Sequence, residues 1–166
     1  MGNCITIGVI SDTHVPEIAR MIPEAVLEEF KKVDMIIHAG DMVDIGVLES
    51  LRGACSNIKA VWGNMDPPEI KARLPEKQIF RINNFKIAVI HGNGAPDNMI
   101  NFLTHIFGAE KPDLIIFGHS HNSLNKKIGK TLFFNPGSPT DKVFARSNSF
   151  GIIKISDKIT AKIIKL

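Results

Sequence analysis

Tyrosine is absent from this chain of 166 residues, tryptophan occurs once, and there are only two cysteines. Cys4 and Cys55 form no spaced framework, which argues against a disulfide scaffold and indicates reduced thiols in the cytoplasm. No apolar run approaches the roughly 20 residues that a transmembrane helix needs, so we expect no membrane partner. The net charge of +3 is small and dispersed, which argues against a nucleic-acid partner.

The remaining composition is that of an ordinary globular protein, 44% hydrophobic and 22% charged. A chain of this length can bury one real core, and no repeat or low-complexity segment interrupts it. We therefore expect a single domain over residues 1–166. No charged segment followed by an apolar one opens the chain, so we expect no signal peptide.

Hydrophobic periodicity and turn residues predict the order of helices and strands. Pro23 predicts a helix start, Asp44 is a candidate cap, and Asn83-Asn84 has the chemistry of a hairpin turn. In chain order we expect strand 4–10, a helix from Pro23, strand 34–38, a short helix after Asp44, strand 58–62, a short helix near 69–73, the hairpin 78–82 with 85–90, helix 97–107, strands 113–117, 126–128 and 131–135, and a closing hairpin 149–156 with 159–166.

Five of the apolar runs end in residue types that bind metals. In open α/β sheets, ligands bind beyond the carboxyl ends of the strands, so these side chains are expected to converge. Carboxylates, imidazoles and amide oxygens that meet in one place suit a cation. In chain order the residues are Asp12 and His14, Gly40-Asp41, Gly63-Asn64, His91-Gly92, and His119 with His121.

Each of these signals has a structural alternative when it stands alone. A strand-end aspartate such as Asp41 often caps a helix, and Asn64 suits a turn. The D-x-H and H-x-H pairs also occur as turn residues beside surface histidines. His38, inside a strand, and His105, on a helix, are interpreted as structural histidines.

Taken together and in order, D-x-H, G-D-x-x-D, G-N-x-D, H-G and G-H-x-H resemble the motifs of the calcineurin-like metallophosphoesterases. The spacing is most similar to their small single-domain phosphodiesterase branch. The likeness covers Ile5 to Ile153 and includes a late motif at Asn135–Pro139. It implies an α/β sandwich of two mixed β-sheets that face each other, flanked by helices. It also implies a metal-dependent phosphodiesterase acting on a small phosphodiester.

The resemblance further implies the ligands of two divalent transition-metal ions. The set for one ion is Asp12, His14, Asp41 and His121, and the set for the other is Asp41, Asn64, His91 and His119. Manganese is the first candidate, and Ni, Fe, Zn or Co also suit these mixed donors. Two cations about 3.5–4 Å apart that share Asp41 activate a water as the nucleophile. Asp41, Asn64 and His91 would thus contribute to catalysis through the metals.

Met65 stands where many members of the larger family have a histidine that is thought to assist the leaving group. Met65 cannot donate a proton, so chemistry that needs strong leaving-group assistance is in doubt. Asn64 and Trp62 are the candidate substrate contacts. The flat face of Trp62 would suit a base or an aryl ester, and core packing at a strand end is the alternative.

Two other functions share this resemblance or this chemistry. The retromer scaffold subunit resembles the same branch, so a non-catalytic protein-binding scaffold is the main alternative. All expected ligand positions are filled here, which favours the enzyme. A nuclease would use the same chemistry, but no basic stripe supports it. The apolar residues of helix 97–107 occupy more than one stripe of its surface. The helix is therefore either well buried or half of a homo-oligomer contact.

Overall fold

The computed structural model describes residues 2–166 and contains ten strands and four α-helices there. In chain order these are β1 Ile5–Ile10, α1 Glu24–Phe30, β2 Met35–His38, α2 Gly46–Arg52, β3 Ile58–Ala60, α3 Pro68–Lys71, β4 Lys77–Ile82, β5 Phe85–Ile90, a 3-10 turn Pro96–Asn98 leading into α4 Met99–Ile106, β6 Leu114–Ile116, β7 Leu124–Ile128, β8 Thr131–Asn135, β9 Ser149–Ile155 and β10 Ile159–Lys165. None of these helices is both long and apolar enough to cross a membrane.

The strands form two mixed sheets of five strands each. The first has the order β10-β9-β1-β2-β3, with β1, β2 and β3 parallel and the C-terminal hairpin antiparallel beside them. The second has the order β4-β5-β6-β8-β7, with β5, β6 and β8 parallel. This arrangement confirms the predicted α/β class with two mixed sheets.

The alternation of side chains along the strands places the helices outside. Ile7 and Val9 of β1 belong to a buried cluster that also contains Ile87 and Val89 of β5, so the two sheets face each other. The opposite face of the first sheet packs under α1, α2 and α3. The outer face of the second sheet packs under α4. The layers are therefore helix, sheet, sheet, helix.

The element boundaries differ from the sequence prediction mainly at strand ends. The third strand ends at Ala60, two residues early, because the Trp62 N–H donates to the Pro75 carbonyl at 3.1 Å instead of continuing the ladder. The helix predicted from residue 97 begins with a 3-10 turn. The hairpin turn at Asn83-Asn84 is confirmed, and Asn83 adopts φ 51° there.

We predict that Gly8→Ala destabilises the fold. A Cβ on Gly8 would lie 2.6 Å from two ring carbons of Phe30, which is fully buried between β1 and α1. Overpacking of this kind costs about 1–3 kcal/mol of unfolding free energy, to be measured by urea denaturation. Gly53→Ala is the control, because Gly53 is exposed with helical φ −61° and should change stability by less than about 1 kcal/mol. Equal stability of the two variants would contradict this packing.

Candidate metal centre

The loops that follow the strands hold an unusual backbone geometry. Eight non-glycine residues of the described chain have positive φ, and five of them are predicted ligands: Asp12, His14, Asp41, His119 and His121. Such a conformation costs of order 1–3 kcal/mol for a non-glycine residue and concentrates at functional sites. Backbone hydrogen bonds between the loops hold this geometry. The Asp12 N–H donates to the Gly40 carbonyl at 3.0 Å, and the His14 N–H donates to the Asp41 carbonyl at 3.1 Å.

One group of candidate ligands comprises Asp12, His14 and His121. One donor atom from each lies within 4.8 Å of the others. The His121 Nε2 is 3.4 Å from Asp12 Oδ1 and 3.3 Å from the His14 Nε2. Asp12 and His14 come from the loop after β1, and His121 comes from the loop after β6, so the two sheets meet at this point.

A second group comprises Asp12, Asp41 and His91, again with donor atoms within 4.8 Å of one another. The His91 Nε2 is 3.2 Å from Asp41 Oδ2. Its Nδ1–H donates to the Ala39 carbonyl at 2.8 Å, which fixes the ring so that Nε2 faces the carboxylates. Asp41 also lies 3.7 Å from the His14 Nε2, so both carboxylates reach both groups.

Asn64 and His119 extend the second group towards solvent. The Asn64 Oδ1 lies 3.1 Å from the His91 Nε2 and 3.0 Å from the His119 Nδ1. The structure therefore brings all seven predicted ligands into one continuous cluster. Asp12, His14, Asp41 and His91 are buried, whereas Asn64 is exposed and His119 and His121 are partly exposed.

The charges in the cluster shift the pKa values of two of its histidines. Burial by itself would lower the pKa of His91, but the charge of Asp12 and the hydrogen bond to Asp41 outweigh burial and raise it to about 9. Burial would also lower the pKa of His121, but its contacts with Asp12 and Asp141 outweigh burial and raise this pKa to about 9. The buried carboxylates thus attract positive charge. Because metal ligands must be deprotonated, a bound cation would replace these protons.

The donor set fits a divalent transition metal. Each group combines carboxylate oxygens with imidazole nitrogens, and such mixed donors suit Mn, Fe, Co, Ni or Zn better than Ca or Mg. The donor atoms point into a shared space at the base of a cleft. The cleft has a volume of about 430 Å³ and is lined by His14, Glu17, Ile18, Asp41, Asn64, Met65, Pro96, His119, Ser120, His121 and Phe144.

Two aspartates outside the predicted ligand set support the site. Asp66 is buried and accepts the backbone N–H groups of Asp41, Val43 and Gly63 at 3.0, 2.7 and 2.7 Å, which ties two ligand loops together. Its place in G-N-x-D was a signal for this role. Asp141 accepts the Nδ1–H of His121 and so orients that ring. No local motif marks Asp141, because the pairing spans 20 residues and depends on the fold.

The remaining sequence interpretations have mixed outcomes. His38 is fully buried with its Nδ1 accepting the Gly40 N–H at 3.1 Å and its Nε2 3.0 Å from Thr13 Oγ1, so the structural role is confirmed. Burial lowers its pKa to about 4. His105 is exposed on α4 and belongs to neither group of candidate ligands, and a structural role for it stays a prediction. Trp62 lines a neighbouring cavity of about 280 Å³ instead of the main cleft, and the Lys71 ammonium lies 5.2 Å from its ring centre.

Comparisons with known proteins show the family to which this chain is similar. A sequence model of the calcineurin-like phosphoesterase superfamily domain matches residues 5–158. A probable metallophosphoesterase of Methanocaldococcus jannaschii is 40% identical over 169 residues, covering 100% of this chain and 84% of that protein. A phosphodiesterase of the same organism is 28% identical over 144 residues, covering 79% of this chain and 82% of that protein.

A solved structure shows the same fold. Vps29 from Entamoeba histolytica, crystallised with Zn²⁺, has a TM-score of 0.79 with 23% identity, covering 97% of this chain and 99% of that one. The two-sheet architecture thus has its counterpart in a solved structure. With the domain match over residues 5–158 and a relative 40% identical across the whole chain, this protein belongs to the calcineurin-like phosphoesterase superfamily.

Proposed function

We propose that this protein is a cytoplasmic, metal-dependent phosphodiesterase that holds two divalent transition-metal ions. The observation that carries the proposal is the convergence of seven candidate donors into one cluster at the base of an open cleft. The name of the related phosphodiesterase supports the reaction class. The free thiols of Cys4 and Cys55 agree with a reducing compartment.

The proposed ligands divide into two overlapping sets. The first is Asp12, His14, Asp41 and His121, and the second is Asp41, Asn64, His91 and His119. Manganese is the ion we favour. Bound together, two such ions supply the chemistry, since they lower the pKa of a water that attacks phosphorus and neutralise charge on the phosphate.

The side chains of the chain itself then have separate tasks. Asp41 contributes negative charge between the two sets, and its Oδ1 accepts the Met65 N–H at 2.7 Å, which fixes its orientation. Asn64 would contribute a neutral oxygen, and it lines the cleft in which a phosphate would bind. His91 is held by the Ala39 carbonyl at 2.8 Å, so its Nε2 stays directed at the cluster. Rigid ligands reduce the reorganisation that the reaction requires.

A protein-binding scaffold is the second candidate function. The observation that favours it is the fold shared with Vps29, together with exposed apolar side chains such as Val143 and Phe144. Against it stands the complete set of donors, which a scaffold does not need. A homo-oligomer through α4 stays a prediction, since Phe102 and Ile106 remain partly exposed on that helix.

We predict that reconstituted protein binds two Mn ions per chain. The seven proposed ligands give four donors to each of two ions only if one of them, Asp41, is shared. Elemental analysis of metal-stripped protein after reconstitution gives the number directly. His105→Ala is the control and should keep two ions, because His105 is exposed and belongs to neither group of candidate ligands. A ceiling of one ion at saturating Mn would contradict the two-ion centre.

We predict that Asp41→Asn lowers kcat/KM far more than Asn64→Ala. Asp41 contributes charge to both ligand sets, whereas Asn64 contributes one neutral oxygen to one set. Steady-state kinetics on an activated aryl diester, with several metals, measures both variants. Asp44→Asn is the control, since Asp44 is exposed and accepts the Gly46 N–H outside the cleft. Wild-type turnover by Asp41→Asn would show that this carboxylate is not shared.

We predict a steep dependence of rate on the pKa of the leaving alcohol. Met65 is 55% exposed in the cleft and has no proton to give. General acid catalysis typically contributes about 10²–10⁴ in rate, and without it the departing oxygen must carry its own charge. A series of aryl and alkyl diesters, assayed with wild type and Met65→His in single-turnover experiments, measures the slope. Met65→His should flatten the slope, and a flat wild-type series would imply another proton donor.

A further inference from the structure

The mouth of the cleft carries apolar side chains beside the polar cluster. Within residues 2–166, eight large hydrophobic side chains are strongly exposed, and three of them line this cleft. These three are Ile18, Met65 and Phe144, with exposed fractions of 45%, 55% and 71%. Exposed apolar groups that gather around a polar centre indicate a ligand-binding surface. We call these three side chains the apolar rim.

Two residues of the apolar rim form backbone hydrogen bonds with candidate ligands. The Ile18 N–H donates to the His14 carbonyl at 2.8 Å. The Met65 N–H donates to the Asp41 Oδ1 at 2.7 Å. The backbone of each apolar residue is therefore fixed relative to the metal centre. A group bound to the rim would lie next to a phosphate bound at the cluster.

Phe144 is fixed by a separate set of contacts. Asp141 accepts the N–H groups of Val143, Phe144 and Ala145 at 2.8, 3.2 and 3.2 Å, and the same carboxylate accepts the Nδ1–H of His121. The Phe144 ring packs edge-on against the His121 ring, with centroids 6.1 Å apart. The exposed ring is thus held beside a candidate ligand before any substrate arrives. Such preorganisation lowers the entropy cost of binding.

The charges of the cleft restrict the anion it accepts. No lysine or arginine is among the described residues that line it, and Glu17 is the one charged lining residue outside the proposed ligands. A second phosphate or a nucleic-acid backbone would find no cationic side chain there and would meet the Glu17 carboxylate. A singly charged phosphodiester with apolar ester groups matches both the charge and the apolar rim.

We propose that the substrate is a phosphodiester with a bulky apolar or aryl ester group that is seated against Ile18, Met65 and Phe144. This proposal rests on the proposed phosphodiesterase function and specifies the substrate class of the same cleft. It assigns Phe144, a residue outside every ligand motif, to substrate recognition. Apart from the metals, specificity would come from apolar contact area and not from charge.

A binding experiment tests the apolar rim without turnover. Diphenylphosphinate and dimethylphosphinate each carry one negative charge and two phosphorus–carbon bonds, so hydrolysis cannot interfere. We expect Mn-loaded protein to bind the diphenyl compound at least tenfold more tightly than the dimethyl compound, because about 60 Å² of additional apolar contact contributes about 25 cal/mol per Å². Calorimetry measures both affinities. Phe144→Ala should reduce this preference several-fold. Val143→Ala should keep it, because Val143 lies in the same loop, is 80% exposed and does not line the cleft.

Turnover separates this proposal from the proposed function. Phenyl 4-nitrophenyl phosphate and methyl 4-nitrophenyl phosphate share one leaving group and differ in the ester group that remains. We expect the phenyl-to-methyl ratio of kcat/KM to exceed about ten in wild type and to fall towards one in Phe144→Ala. Turnover of both diesters with a ratio near one, and equal binding of the two phosphinates, would overturn the proposal and leave the phosphodiesterase intact. No turnover with a retained binding preference would support the rim and contradict the phosphodiesterase.

Discussion

Two carboxylates, Asp12 and Asp41, are buried together where the carboxyl ends of strands from both sheets meet. Burial of a charge costs several kcal/mol unless partners compensate it, and two like charges in one place add repulsion. The protein provides some compensation itself, through the Ser11 hydroxyl and His119 N–H on Asp12 and through the Met65 N–H on Asp41. Without a metal, protonated His91 and His121 add more. A divalent cation bound here would replace those protons and supply the positive charge in their place.

The packing of the hydrophobic core offsets the free-energy cost of this arrangement. Five candidate ligands have left-handed backbone, which is unfavourable for each of them. The three apolar clusters between and outside the sheets hold the strands whose ends carry these loops. Asp66 and Asp141 then connect loops from different elements by backbone and side-chain hydrogen bonds. The cleft is therefore rigid at its base, and its apolar rim is attached to that rigid base.

The sequence was most informative where physics acts locally. Short apolar runs identified the strands, Asn83-Asn84 identified a hairpin, and a metal-binding residue type at the end of an apolar run identified each loop of the site. The sequence did not reveal Asp141 or Phe144, because their contacts to His121 form only when the loop that follows β8 folds back onto the loop that follows β6. Trp62 was a candidate substrate contact with core packing as the alternative, and it packs partly buried against the core cluster under the helices and lines another cavity.

The central claim is that one shared carboxylate joins two cation sites at the base of the cleft. Anomalous diffraction at the manganese edge, from crystals grown with Mn²⁺, tests it directly. The account predicts two peaks about 3.5–4 Å apart, one beside His14 and His121 and the other beside His91 and His119, with Asp41 between them. A single peak, or two peaks of which only one contacts Asp41, would contradict it.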